Sequence, residues 1–181
     1  MSQLVWLLDR AAGLVALPAL SLSVLTGIVY SADRFGPLYR AARRIHIEVA
    51  VFATIVMVVH GALGVLDAWF VVSGAAPAPA YSTSFLLAGT AVGVGGLFLL
   101  IVSVLGFLDA RRFERPWGPR VVHAFAYGGY AFAVVHAVAV GTDVGSVVRS
   151  ALLASTAFLA YVVVLRALAD AGVLVPESAG A

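Results

Sequence analysis

Apolar residues run through this chain in blocks rather than alternating with polar ones. Five blocks lie at about residues 10–31, 41–72, 84–108, 120–140 and 147–169, separated by stretches rich in arginine, glycine or proline. An apolar run of about 18 residues or more is long enough to cross the hydrocarbon of a bilayer as a helix. The pattern therefore predicts an all-α integral membrane protein, a five-helix transmembrane bundle forming a single domain over residues 1–181. Pro18 falls inside the first block, where a bundle tolerates a kink. Gly89, Gly93, Gly95 and Gly96 give the third a run of small residues that lets a neighbouring backbone come close.

Composition agrees. The 181 residues are 62% hydrophobic and 11% charged, with a mean hydropathy of +1.05, against about 45–50% and about 25% for soluble domains. Cysteine is absent, which excludes disulfides, cysteine-held iron–sulfur clusters and covalently attached haem. A net charge of +2 is too small to suggest a nucleic-acid partner. The first basic residue is Arg10, so the N-terminus lacks the positive start of a signal peptide and residues 11–31 read as a retained span.

All eleven basic residues are arginines, and eight lie in or beside two connections. Arg34, Arg40, Arg43 and Arg44 fall between blocks one and two; Arg111, Arg112, Arg115 and Arg120 fall between three and four. With five spans both connections face one side, which the positive-inside rule makes cytoplasmic. The expected location is the cell (plasma) membrane, multi-pass, with the N-terminus outside and the C-terminus cytoplasmic. The basic stretch DARRFERPWGPR suits anionic lipid headgroups or an acidic docking face on a reductase.

The polar exceptions carry the chemistry. Every histidine lies in block two or block four: His46 and His60 in one, His123 and His136 in the other, spaced fourteen and thirteen residues apart. The strings VVHGALGVLD and VVHAVAVGTD form a weak internal repeat. Both helices start on the same side, so His46 and His123 are expected at one depth and His60 and His136 at another, roughly 20 Å away at 1.5 Å rise per residue. Two imidazoles at one depth could fill both axial positions of a haem iron. Zinc or copper would want more ligands at one depth, and a proton relay would want a carboxylate between the levels. Structural helix–helix hydrogen bonding is the remaining alternative. Thirteen residues leave the two rings of helix four about 140° apart at 100° per residue, so that helix must bend, tighten, or present its rings from different flanks. Gly128 and Gly129 lie midway.

With these histidines in place, the chain resembles the ferric-reductase-like transmembrane domain. That superfamily includes the membrane part of NADPH oxidases, metalloreductases and the haem-binding subunit of methionine-sulfoxide reductase systems. The resemblance covers roughly residues 4–169 and implies two haem b groups, one held by His46 with His123 and the other by His60 with His136. The opening WLLDRAAGLVALPALSLSVLTG looks like the family's arginine-bearing helix, which implies that Arg10 meets a propionate of the outer haem. An interfacial arginine paired with Asp9 is the alternative for Arg10. The family commonly has six helices, whereas five are expected here. Only eleven residues follow position 170, too few for a flavin or nicotinamide domain, so electrons are expected from a separate flavoprotein or from membrane quinol, passing to an outer acceptor or external redox partner.

The implied function is a di-haem b-type membrane cytochrome acting as the electron-transfer subunit of a transmembrane oxidoreductase, with no catalytic residue of its own. A quinol-linked cytochrome b, or a non-redox membrane protein with structural histidines, is the rival. Phe52, Phe125, Tyr127, Tyr130 and Phe132 fall between the two depths as packing or porphyrin-contacting rings, and Trp69, Phe70 and Trp117 as an interfacial belt. Asp67 and Asp143 mark outer helix ends, and Glu48 pairs with Arg44 or snorkels.

Overall fold

The structure is a computed structural model that describes residues 2–31, 37–77, 82–108, 118–141 and 145–170. Among the described residues there are five α-helices: α1 (Ser2–Ser31), α2 (Pro37–Val72), α3 (Thr83–Leu108), α4 (Gly118–Val140) and α5 (Ser146–Asp170). Each is long and apolar enough to cross a membrane, the makeup of a multi-pass membrane protein. Arg34, Arg111, Arg112, Arg115, Trp117 and Asp143 lie outside the described residues.

The helix ends have local causes. Pro37 opens α2, where its missing N–H costs nothing. That helix stops at Gly74, whose φ of 74° turns the chain so that the Gly74 and Ala75 amides donate back to Val71 O (3.1 Å) and Phe70 O (2.8 Å). The Ser82 hydroxyl accepts the Phe85 amide at 3.3 Å and caps the start of α3. At α1 the structure departs from the expected boundary near residue 10. The helix begins at Ser2 because Asp9 and Arg10, an apparent polar stop, are both accommodated on it. Asp9 turns toward His60 of α2, and Arg10 lays its guanidinium over the Trp6 ring, 4.2 Å from the centroid.

The chain divides into two units, Met1–Val144 with α1 to α4, and Gly145–Ala181 with α5. In the first unit α1 packs along α2 and α3 along α4, as two antiparallel hairpins. The hairpins meet through α2 against α3 and, less extensively, α1 against α4, while α2 and α4 themselves barely touch. Ala16, Leu20, Val24 and Ile28 make a buried stripe on α1, spaced for one helix face. Ala42, Ala53, Met57 and Ala68 are buried on α2. Small residues at these positions bring the backbones together, the usual device where lipid removes the hydrophobic driving force between helices. The outward surface is lined with exposed Leu, Val, Ile and Phe, such as Leu14, Ile55, Phe98 and Leu105.

Several hydroxyls on these helices are satisfied internally, as hydrocarbon favours. Ser21, Thr26, Thr54 and Thr90 each donate to the carbonyl four residues earlier.

Candidate functional site

The space between α2 and α4 is where the four histidines meet. His46 and His123 approach with ring centroids 6.0 Å apart and planes at 88°; His60 and His136 do so at 5.9 Å and 71°. The pairs are those placed at common depths by the sequence, and they make α2 and α4 parallel. Each ring is half-buried.

What orients the rings is a seat on the helix behind each of them. His46 Nδ1 lies 2.8 Å from the Ser23 carbonyl of α1, and His60 Nδ1 lies 3.0 Å from the Asp9 carbonyl. On the other hairpin, His136 Nδ1 lies 2.8 Å from the Gly89 carbonyl of α3. A carbonyl can only accept, so all three Nδ1 atoms carry the proton. Four residues after each of these carbonyls comes a glycine: Gly27, Gly13 and Gly93. A Cβ on any of them would stand 3.0 Å from its imidazole. The seat is thus a helical carbonyl at one position and a bare backbone one turn later, beside which the ring lies.

The fourth seat differs. His123 Nδ1 lies 3.1 Å from the Ser103 hydroxyl, which itself donates to the His123 carbonyl at 2.9 Å. With its one proton committed there, the hydroxyl accepts from Nδ1, and the same tautomer results. Where the other seats have glycine, this one has Phe107, tilted at 43° with its centroid 5.1 Å from the His123 ring. This resolves the thirteen-residue spacing on α4. The seats on α3, at Gly89 and Ser103, are fourteen apart, like those at Asp9 and Ser23 on α1. The histidines of α4 are thirteen apart, and the mismatch is absorbed by a side-chain oxygen reaching where a backbone oxygen serves elsewhere. The helix itself runs unbroken from Gly118 to Val140. Gly129 is a packing residue, whereas a Cβ on Gly128 would meet only Leu99, at 3.4 Å. A Cβ on Gly129 would lie 2.9 Å from Gly96 O, and one on Gly96 would lie 3.2 Å from Gly129 O.

All four rings thus keep Nε2 as the lone-pair nitrogen. Among the described residues no group hydrogen-bonds any Nε2, and none of these atoms is fully buried. Donation from Nδ1 to a protein oxygen is the support that metal-bound histidine ordinarily has. Two imidazoles on one metal, at about 2.0–2.1 Å per nitrogen, place their ring centroids roughly 6 Å apart, the separation found at both levels. Among the described residues no cluster of three or more His, Asp or Glu side chains could hold a bare ion. Each level offers two ligands, which suits an iron whose other four positions are filled by a porphyrin.

The remaining sequence candidates take varied places. Arg10 stacks on Trp6, as above. Of the aromatic residues between the levels, Tyr130 is buried and its hydroxyl lies 3.2 Å from the Ser21 hydroxyl, tying α4 to α1. Phe52, Phe125, Tyr127 and Phe132 are exposed, as is Trp69. Glu48 pairs with Arg44 at 2.9 Å on the surface. Tyr30 is a contact the sequence reading missed: its ring stacks at 6.5 Å on His46 and meets Tyr39 at 5.1 Å. Asp9 was also missed as a partner of His60. A legible signal existed, since Gly13 and Gly27 repeat the fourteen-residue spacing of His60 and His46.

Helices fit to span a membrane, enclosing two stacked pairs of imidazoles pinned by their outer nitrogens, define a class of histidine-paired membrane proteins. Within it, the chain belongs to the family described as Domain of unknown function (DUF8596), whose model matches residues 4–143. That segment holds α1 to α4 and all four histidines, and ends at the boundary of the first unit. No curated protein and no solved structure matches the chain.

Proposed function

We propose that the protein is a di-haem b-type membrane cytochrome that carries electrons across the membrane from a cytoplasmic-side donor to an outer acceptor, as ferric-reductase-like proteins do. The observation that carries this reading is the seating of the four rings. Each Nδ1 is engaged by an oxygen of the neighbouring helix, and each Nε2 is left open in a pair whose spacing suits one metal between them. As mere helix–helix ties, four half-buried imidazoles would not leave four acceptors without partners among the described residues.

Haem would supply a one-electron iron couple at each level. His46 and His123 would hold one, and His60 and His136 the other, with no protein group left to give way for an exogenous ligand. Bis-imidazole coordination favours electron transfer over oxygen binding at the iron. The levels are about 20 Å apart along the helices, so the two together span most of the hydrocarbon. Arg40, Arg43, Arg44 and Arg120 are exposed at the His46/His123 end of α2 and α4, which by the positive-inside rule faces the cytoplasm. A flavoprotein or membrane quinol would deliver electrons there. Arg10, at the opposite end, is the candidate partner for a propionate of the outer haem.

The test is haem content and spectra of the protein purified in mild detergent after expression with adequate haem. Two low-spin b haems per chain are expected, falling to one in His60→Ala. A colourless wild type overturns the reading and returns the histidines to helix packing.

A further inference from the structure

The two imidazole levels are built alike but not supported alike. Three of the four Nδ1 atoms meet one uncharged oxygen each: the Ser23 carbonyl, the Gly89 carbonyl and the Ser103 hydroxyl. His60 Nδ1 meets two, the Asp9 carbonyl at 3.0 Å and the Asp9 carboxylate Oδ1 at 2.8 Å. The backbone oxygen takes the hydrogen bond, and Oδ1 is buried with no hydrogen-bond partner among the described residues, so it acts on the ring as a close carboxylate rather than through a directed bond. It lies against Gly64 of α2, where a Cβ would stand in ordinary contact, 3.4 Å from Oδ1. The corresponding seat on α3 is Gly89, which has no side chain, so among the described residues His136 across the same level has no carboxylate against its Nδ1.

A carboxylate on the outer N–H of a metal-bound imidazole draws the proton toward itself and raises the basicity of the other nitrogen. At a haem iron, a more basic axial ligand and a nearby negative charge both stabilise the ferric state over the ferrous. Resting on the haem reading above, we propose that Asp9 is a positioning residue whose carboxylate makes His60 the strongest donor of the four imidazoles. It thereby gives the His60/His136 level the lower reduction potential of the two.

Redox titration of the haem-loaded protein, with low-temperature electron paramagnetic resonance of the oxidised form, tests this. The wild type is expected to titrate in two resolved steps with two distinct low-spin signals. Asp9→Asn should favour reduction of the lower-potential haem about tenfold, a shift of 59 mV for one electron. It should move one low-spin signal and leave the other haem and the haem content unchanged. Asp9→Glu, which restores the charge, should return the step toward its wild-type position. Two wild-type haems that titrate as one overturn the proposal, as do midpoints that Asp9→Asn leaves in place. If Asp9→Asn sheds a haem, the wild-type splitting and the Asp9→Glu variant decide between the same outcomes. A wild type without haem overturns the underlying reading instead, so the two failures are distinguishable.

Discussion

The α1–α2 hairpin and the α3–α4 hairpin follow one plan. Adding 80 to a position on α1 gives its counterpart on α3: Asp9 and Gly89 offer the carbonyls of one level, Gly13 and Gly93 the bare backbones, and Ser23 and Ser103 the oxygens of the other level. Midway between the levels the first hairpin has Ala16 and Ala53, each 1% exposed, and the second has Gly96 against Gly129. The hairpins differ at one seat, where α4 is a residue shorter between its histidines and Ser103 and Phe107 replace a carbonyl and a glycine. They differ again at Asp9, the one seat with a charge. The shared features set where the imidazoles stand, and the departures set how each is held.

The most severe way to break this comparison is to remove rings. His60→Ala and His136→Ala should each lose the same haem, and the double variant should lose no more than either. His46→Ala combined with His60→Ala should leave none, by pyridine haemochrome assay. Pairing within a hairpin would give the opposite pattern.

Filling a seat comes next. Gly13→Leu or Gly93→Leu puts carbon where the imidazole lies and should cut occupancy of the His60/His136 level at least tenfold. Gly95→Leu, with nothing within 4 Å of its Cβ position, should leave haem content as it is. The two serines sharpen the contrast further. Ser103→Ala removes the only acceptor for His123 Nδ1 among the described residues, a change that costs about 10–100-fold in metal affinity at such sites. Ser23→Ala keeps the carbonyl that holds His46 and should be silent in haem retention during gel filtration. The smallest effect is expected from Tyr130→Phe, which removes the α1–α4 hydroxyl contact. It should cost about 1 kcal/mol in thermal stability in detergent, with both haem spectra intact.

Much of this was legible in the sequence, for physical reasons. Apolar runs of spanning length announce helices whatever they pack against, and an imidazole in such a run is conspicuous. The start of α1 was misplaced because Asp9 and Arg10 look like an interface, when a histidine on α2 and a tryptophan one turn earlier accommodate them. The seats were hidden for a different reason. A backbone carbonyl has no letter of its own, so Ser23 and Gly89 act at positions whose side chains say nothing of the role. Only the glycines betray them, and glycines in membrane helices usually mean helix packing alone, as Gly96 and Gly129 do. The unequal spacing on α4 was visible, but its remedy required seeing a hydroxyl on α3 stand in for a carbonyl.

The 80-residue correspondence bears on ancestry. A hairpin that carries two imidazoles and two seats becomes complete when a second copy is set beside it about an axis along the membrane normal. Every ring then finds its counterpart at the same depth, and both centres arise in one step. In a symmetric dimer of one hairpin every seat would occur twice; a single chain can carry the aspartate of the first hairpin and the serine–phenylalanine seat of the second on one side only.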